Sequence, residues 1–196
     1  MPGTPRIPPT EITGPYGYLV KRFSKKMLGD VPESLGVMWH NRAVLNASMT
    51  FGRKTRAWDQ LDPHLRSFAH MAAAAFIGCS ACLDFGYFQA HDEGLDLAKA
   101  SQVPRWRESA VFTSLERDVM EYAEAMSQTP VAVTDELSER LLEQLGAPAL
   151  LELNAIVGFA NLTARGNIAL GITSEGFSDV CAIPLAEPSR GYARTA

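Results

Sequence analysis

Cysteine is scarce in this chain, and strand-like alternation of apolar and polar residues is missing. Three cysteines, an odd number, do not make the disulfide framework that staples small secreted folds. No secretory leader is evident at the N-terminus, so the thiols are expected in a reducing, cytoplasmic setting. A close cysteine pair there is more often catalytic or metal-binding than structural. Basic excess is absent too: the formal net charge is -4, which argues against a nucleic-acid partner. The small cluster Arg53-Lys54-x-Arg56 reads as a solvated helix end. The longest uninterrupted apolar run, Met71 to Ile77, is far short of a membrane span, and a soluble protein is expected. No G-x-G-x-x-G follows a strand, and there is no Walker A loop, G-x-S-x-G or H-E-x-x-H motif. His40, His64, His70 and His91 form no ligand pair at i, i+4. A zinc site would need His91 and Cys181 to join the two closely spaced cysteines. No metal and no organic cofactor is therefore expected.

What remains is helical. The 196 residues, 46% hydrophobic and 20% charged, suffice for one domain with a substantial core. Residues 1–15 hold five prolines and two glycines and read as an extended arm, either loose or lying across a neighbouring subunit. The helical domain then spans 16–184, and 185–196 reads as a tail. Tyr18, Leu19, Phe23 and Met27 recur at helical spacing, which predicts a short helix from Tyr16 to Leu28. Pro32 opens a second, and Asn41 is placed to cap a third with Val44, Leu45 and Met49 on one face. Asp62-Pro63 is the cleanest helix start, an N-cap acid followed by proline at the first helical position. That helix runs to about Ile77, and its Ala72 to Ala75 run lets another helix come close. Thr113-x-x-Glu116 matches a capping box, and Thr134 caps the next helix, with Leu137, Leu141, Leu142 and Leu145 expected inside. Gly146 stops it and Pro148 starts a long last helix through Leu151, Ile156 and Phe159 to about Leu170. The architecture expected is all-α, with about seven to nine helices.

Two of the three cysteines stand as Cys79-x-x-Cys82, directly after Gly78. If Gly78 breaks the preceding helix, the pair sits in the first turn of a new one. Backbone N–H groups and the helix dipole there favour thiolate over thiol. Asp84 either tunes the pair or caps its helix, capping being the simpler account. His70, on an apolar helix, is either a satisfied core histidine or a base. Lone Cys181 reads as a small buried hydrophobe.

These segments resemble the carboxymuconolactone decarboxylase / alkylhydroperoxidase D-like (AhpD-like) superfamily. The resemblance is carried by Asp62-Pro63-His64-Leu65-Arg66, the alanine-rich helix, and Gly78-Cys79-x-x-Cys82-Leu83-Asp84-Phe85-Gly86. It continues through Leu115-Glu116-Arg117, Tyr122-Ala123-Glu124-Ala125-Met126 and Asn161-x-x-x-Arg165-x-Asn167-x-Ala169-Leu170-Gly171, covering roughly residues 30 to 184. It implies an all-α AhpD-like fold assembled as a homo-oligomer, a trimer or hexamer. In the peroxidase branch it implies that the cysteine pair reduces small organic hydroperoxides. Cys82 would attack, Cys79 would resolve the sulfenic acid as a disulfide, and an external thiol reductant would restore the dithiol. The best-known members of that branch carry a glutamate twelve residues before the first cysteine and a histidine four after the second. Here those positions are Ser67 and Gly86. Asp84, His70 and His91 are the nearest stand-ins for a proton relay, and Gly86 would leave room for substrate above Cys82.

The leading expectation is thus a cysteine-dependent peroxidase or disulfide reductase, with Cys79, Cys82, Asp84 and His70 at its site. Two alternatives belong to other classes. One is a non-redox decarboxylase or lactone-processing enzyme, and the other is a non-catalytic helical oligomer with structural cysteines. Asn161, Arg165 and Asn167, polar residues on an apolar last helix, read as an interface or a buried hydrogen-bond network.

Overall fold

A computed structural model of the chain describes residues 4–188; Met1–Gly3 and the last eight residues of the expected tail lie outside the described residues. No strand occurs among the described residues. The helix starts obey local cap chemistry. In α3 (Arg42–Arg56) the Asn41 side chain accepts from Val44 N–H, and in α4 (Pro63–Ile77) Asp62 accepts from His64 and Leu65 N–H. Thr113 and Glu116 close both halves of the capping box on α7 (Ser114–Ser127). Thr134 accepts from Leu137 N–H at the start of α8 (Asp135–Leu170). Each such bond satisfies a backbone donor that the helix itself leaves unpaired.

α4 is the centre of the molecule. It packs against α7, α8 and α5 (Ser80–Asp92). Phe68, Met71 and the run Ala72 to Ala75 are buried, and the methyl side chains let the neighbouring helices approach. Val119, Met120, Leu141, Leu153 and Val157 close the same core from α7 and α8. Between α5 and α7 lie a short helix α6 (Leu97–Ala100) and a 3-10 turn at Val103–Arg105. Gly146 interrupts α8, as expected. Its φ of 76° and ψ of 163° are non-helical and divide α8 into two helical stretches, the second running from about Pro148 to Leu170. Over part of its length α8 is apolar and long enough to cross a membrane by length and composition, a test that core helices also pass. Here it packs on α4 and α7.

The N-terminal helices α1 (Gly14–Leu28) and α2 (Glu33–Met38) join α3 around a smaller cluster of Ile12, Val20, Trp39 and Leu45. Within residues 4–13 the arm runs back over its own chain. Arg6 N–H donates to Leu170 O and its guanidinium to Ile168 O, while Thr10 N–H donates to Gly36 O. The face of α1 differs from expectation. Tyr18, Leu19 and Phe23 are more than half exposed, and Gly17, Val20 and Ser24 point inward. The reason is closeness: a Cβ on Gly17 would lie 3.1 Å from Ile12 Cγ2 and 3.2 Å from Trp39 Cζ2. On α3, Leu45 is buried but Val44 and Met49 are exposed, and on α8 Leu142 and Leu151 face outward. Phe51 and Phe159, with ring centres 4.9 Å apart, join α3 to α8.

Candidate active site

Gly78 ends α4 with a left-handed φ of 85°, and its N–H returns to Ala74 O and Ala75 O. That single turn of backbone makes Cys79 the N-cap of α5 and Cys82 the last residue of its first turn. Cys79 Sγ accepts the Cys82 N–H at 3.2 Å, in the position usually taken by a serine or aspartate oxygen. The two cysteines form a disulfide, with Cα atoms 5.3 Å apart. Cys79 is 1% exposed and Cys82 6%, so both residues are buried.

One side chain from far along the sequence reaches the pair. Asn167, on the last turn of α8, donates its side-chain amide to Cys82 Sγ at 3.4 Å. Its expected companions do something else. Asn161 donates to Ser127 Oγ and Arg165 to Ser127 O, tying α8 to the end of α7. Asn167 therefore leaves the hydrogen-bond network expected of the three and belongs to the cysteine site. Its presence in the matched motif was the only sequence signal, and it does not reveal the sulfur contact.

Asp84 is buried, and its carboxylate hydrogen-bonds the segment after α8 rather than the cysteine pair. Its Oδ2 accepts from Ser174 Oγ at 2.8 Å and from the N–H groups of Glu175, Gly176 and Phe177 at 3.2, 2.9 and 3.1 Å. Its Oδ1 accepts from Ser178 N–H at 2.7 Å. Burial alone would raise its pKa, but the hydrogen bonds from Ser178, Ser174 and Phe177 outweigh that and hold the carboxyl below its ordinary value. Asp84 thus pins the segment after α8 across α5. Ser174 N–H adds a bond to Ser80 Oγ, and Tyr87 donates to Ile183 O at 2.6 Å. Burial raises the Tyr87 hydroxyl to about 12.

His70 lies on α4 against Gly86, one helical turn beyond Cys82. A Cβ built on Gly86 would come within 2.9 Å of His70 Nδ1 and 3.2 Å of Met71 Cγ. The space that Gly86 was expected to leave for substrate is therefore filled by an imidazole. Burial lowers the His70 pKa to about 4, so the ring is neutral above that pH. At the position of the family's glutamate, Ser67 Oγ faces Met71 Sδ at 3.9 Å. His91 lies at the far end of α5, exposed. Cys181 is a free, partly buried thiol whose pKa is raised by burial and then by the Asp84 charge. Among the described residues no group of three His, Cys, Asp or Glu side chains could hold a metal, so the His91–Cys181 zinc set does not assemble.

Two surface grooves lie elsewhere. An apolar one of about 410 Å³ runs between α3 and α8 past Phe51, Phe159 and Leu162. A second of about 430 Å³ is bordered by Asp62, Asp96, Lys99 and Glu116 together with Leu65 and Leu115. Neither is lined by a cysteine.

The profile of the carboxymuconolactone decarboxylase family matches residues 42–125, from α3 to near the end of α7, and so includes the cysteine helix. The chain is 38% identical over 137 residues to the uncharacterized protein YnjA of Escherichia coli K12, covering 70% of this chain and 74% of YnjA. Among solved structures, the debrominase Bmp8 superposes with a TM-score of 0.77 at 20% identity, over 88% of this chain and 94% of Bmp8. The alkylhydroperoxidase AhpD core of an uncharacterized peroxidase-related protein from Ralstonia eutropha JMP134 gives 0.75 at 17% identity, over 91% and 98%. At those identities the two structures establish a shared all-α fold. The YnjA match and the family profile, laid over the cysteine helix, go further: the chain belongs to the carboxymuconolactone decarboxylase family.

Proposed function

We propose that the protein is a cysteine-dependent hydroperoxide reductase. The observation that carries this reading is the Cys79–Cys82 pair, close enough to bond, at the first turn of α5. In the reduced protein the Cys82 thiolate attacks the distal oxygen of a small organic hydroperoxide. An S–O bond forms, the O–O bond breaks, and an alkoxide leaves. The Cys79 thiolate then attacks Cys82 sulfur, an S–S bond forms, and hydroxide departs as water. The sum is dithiol plus hydroperoxide to disulfide, alcohol and water, and an external dithiol returns the two electrons. His70, packed one turn from Cys82 and neutral above about pH 4, is a positioning residue beside the cysteine helix; so weak a base does not hold the thiol proton, which leaves to water and is returned from water to the alkoxide. Asp84 is a positioning residue that holds the C-terminal segment over α5. The outward apolar residues of α1, α3 and α8, Leu151 and Leu162 foremost, are the surface on which copies of the chain assemble.

The test is turnover of an alkyl hydroperoxide with a dithiol reductant in excess, alongside a lactone, a β-keto acid and 2,3,4-tribromopyrrole. The last is the ligand of a Bmp8 structure. Hydroperoxide consumption is the expected result. Lactone or β-keto acid conversion that survives loss of both cysteines would establish the non-redox reading, which Ser67 and Gly86 at the relay positions favour.

Gly86→Ala probes the imidazole. An alanine inside a helix ordinarily gains about 1 kcal/mol over glycine. Here its Cβ meets His70 Nδ1 and Met71 Cγ, so the ring must move. The variant is expected to melt no higher than wild type and to lose about tenfold to a hundredfold in turnover. Unchanged turnover would take His70 out of the mechanism.

A further inference from the structure

The two sulfurs do not share one environment. Cys79 Sγ receives the backbone N–H of Cys82, the donor that any N-cap atom receives. Cys82 Sγ receives none from the backbone. The side chain that donates to it is Asn167, from 85 residues away on α8. No other side chain hydrogen-bonds to either sulfur among the described residues.

On backbone geometry alone Cys79 is therefore the better-stabilised thiolate, and the assignment of attack to Cys82 needs a separate cause. Two neighbours that could act are engaged elsewhere. Arg165, two residues before Asn167, donates to Ser127 O, and Asp84 is saturated by the segment 174–178. Of the other titratable groups on elements packed against α5, His70 abuts Gly86, Glu175 accepts from Glu33 and Ser34 N–H, and Cys181 sits beside Asp84 and Tyr87. Asn167 is itself held near the end of α8. Ile172 N–H and Gly171 N–H close on Asn167 O and Ile168 O, and Arg6 caps the same turn.

We infer that Asn167 is a catalytic residue, the amide donor that stabilises the Cys82 thiolate and so decides which of the two sulfurs attacks. The inference deepens the reading above and rests on it for the identity of the oxidant. A neutral amide donor to a sulfur that gains a full negative charge makes a charge-assisted bond, stronger for the thiolate than for the thiol. It does in part what the absent glutamate and histidine would do, with no proton of its own to exchange.

The experiment is site-resolved alkylation of the reduced protein by iodoacetamide as a function of pH, read by peptide mass spectrometry for Cys79 and Cys82 separately. Wild type, Asn167→Ala and Asn167→Asp are compared. Asn167→Ala is expected to move the Cys82 profile about one pH unit upward, making alkylation near neutrality about tenfold slower, and to leave the Cys79 profile in place. Asn167→Asp, of the same shape but placing a carboxylate at the sulfur, moves it further. If alanine loosens the end of α8, the aspartate variant still carries the test. A Cys82 profile unchanged in Asn167→Asp overturns the inference. So does an equal shift of both cysteines, the signature of a merely loosened helix end. Hydroperoxide turnover measured in parallel separates the two readings. A wild type inert to hydroperoxide whose Cys82 profile still depends on Asn167 removes the peroxidase reading and retains the thiolate donor.

Discussion

Replacing Cys82 with serine abolishes hydroperoxide consumption, lowering kcat/KM by at least about 10³-fold, because an alcohol at neutral pH has no counterpart to the thiolate nucleophile. The substitution removes little else. Serine is slightly smaller, Cys82 is 6% exposed, and the Cys82 N–H to Cys79 Sγ bond is made by backbone on one side. Circular dichroism should be unchanged and the melting temperature close to that of the reduced wild type. Cys79→Ser behaves differently. Its Cys82 still attacks, so one equivalent of hydroperoxide is reduced in a burst. The sulfenic acid then waits for an external thiol, and steady-state turnover follows the concentration of that thiol. A Cys82→Ser protein with full activity, or a Cys79→Ser protein with no burst, contradicts the assignment of attack and resolution.

Replacing Asp84 with alanine releases the C-terminal segment and destabilises the fold by about 3 kcal/mol or more, with the cysteine pair still reactive. Four backbone N–H groups and the Ser174 hydroxyl lose their acceptor at once. Asp84→Asn keeps one oxygen and costs less. Urea midpoints report the difference, and a change below about 0.5 kcal/mol would contradict the role given to the carboxylate. The pH dependence has a definite sign. The folded Asp84 pKa lies below its ordinary value of 3.8, so the unfolded chain binds that proton first. Its contribution is complete above 3.8 and is lost as pH falls through the lower folded value. The His70 pKa drops from 6.5 to about 4 on folding, so the unfolded imidazole is charged over that interval while the folded one is not. Stability therefore begins to fall as pH drops from 6.5 toward 4, and Asp84 adds its loss below. His70→Gln should flatten the upper limb only.

The helix starts were legible because capping is a local act. Asn41, Asp62, Thr113 and Thr134 each bond a backbone N–H two or three residues on, within reach of a pattern read along the chain. The cysteine helix was legible for the same reason, since Gly78, Cys79 and Cys82 lie within one turn. Faces were harder. Tyr18, Leu19 and Phe23 have the spacing of a core stripe, but periodicity marks an apolar face without saying what covers it. On α1 the small side chains face inward because Ile12 and Trp39 press on Gly17, a closeness the local pattern does not record. The site's remaining partners are long-range. Asn167 meets Cys82 across 85 residues and the 174–178 segment meets Asp84 across 90 to 94. Gly86 was read as empty space because only the packing of α4 on α5 brings His70 against it.

The central claim, that Cys79 and Cys82 exchange two electrons with a hydroperoxide, is tested most directly by counting thiols. The reduced protein is treated with one equivalent of alkyl hydroperoxide, quenched with a thiol-specific alkylating agent, and weighed intact, before and after return to a dithiol reductant. The account predicts the rapid loss of two alkylatable thiols, both at Cys79 and Cys82, with Cys181 labelled throughout, and their full recovery on reduction. A pair that keeps both thiols through the peroxide step, or that loses them without recovery, contradicts it.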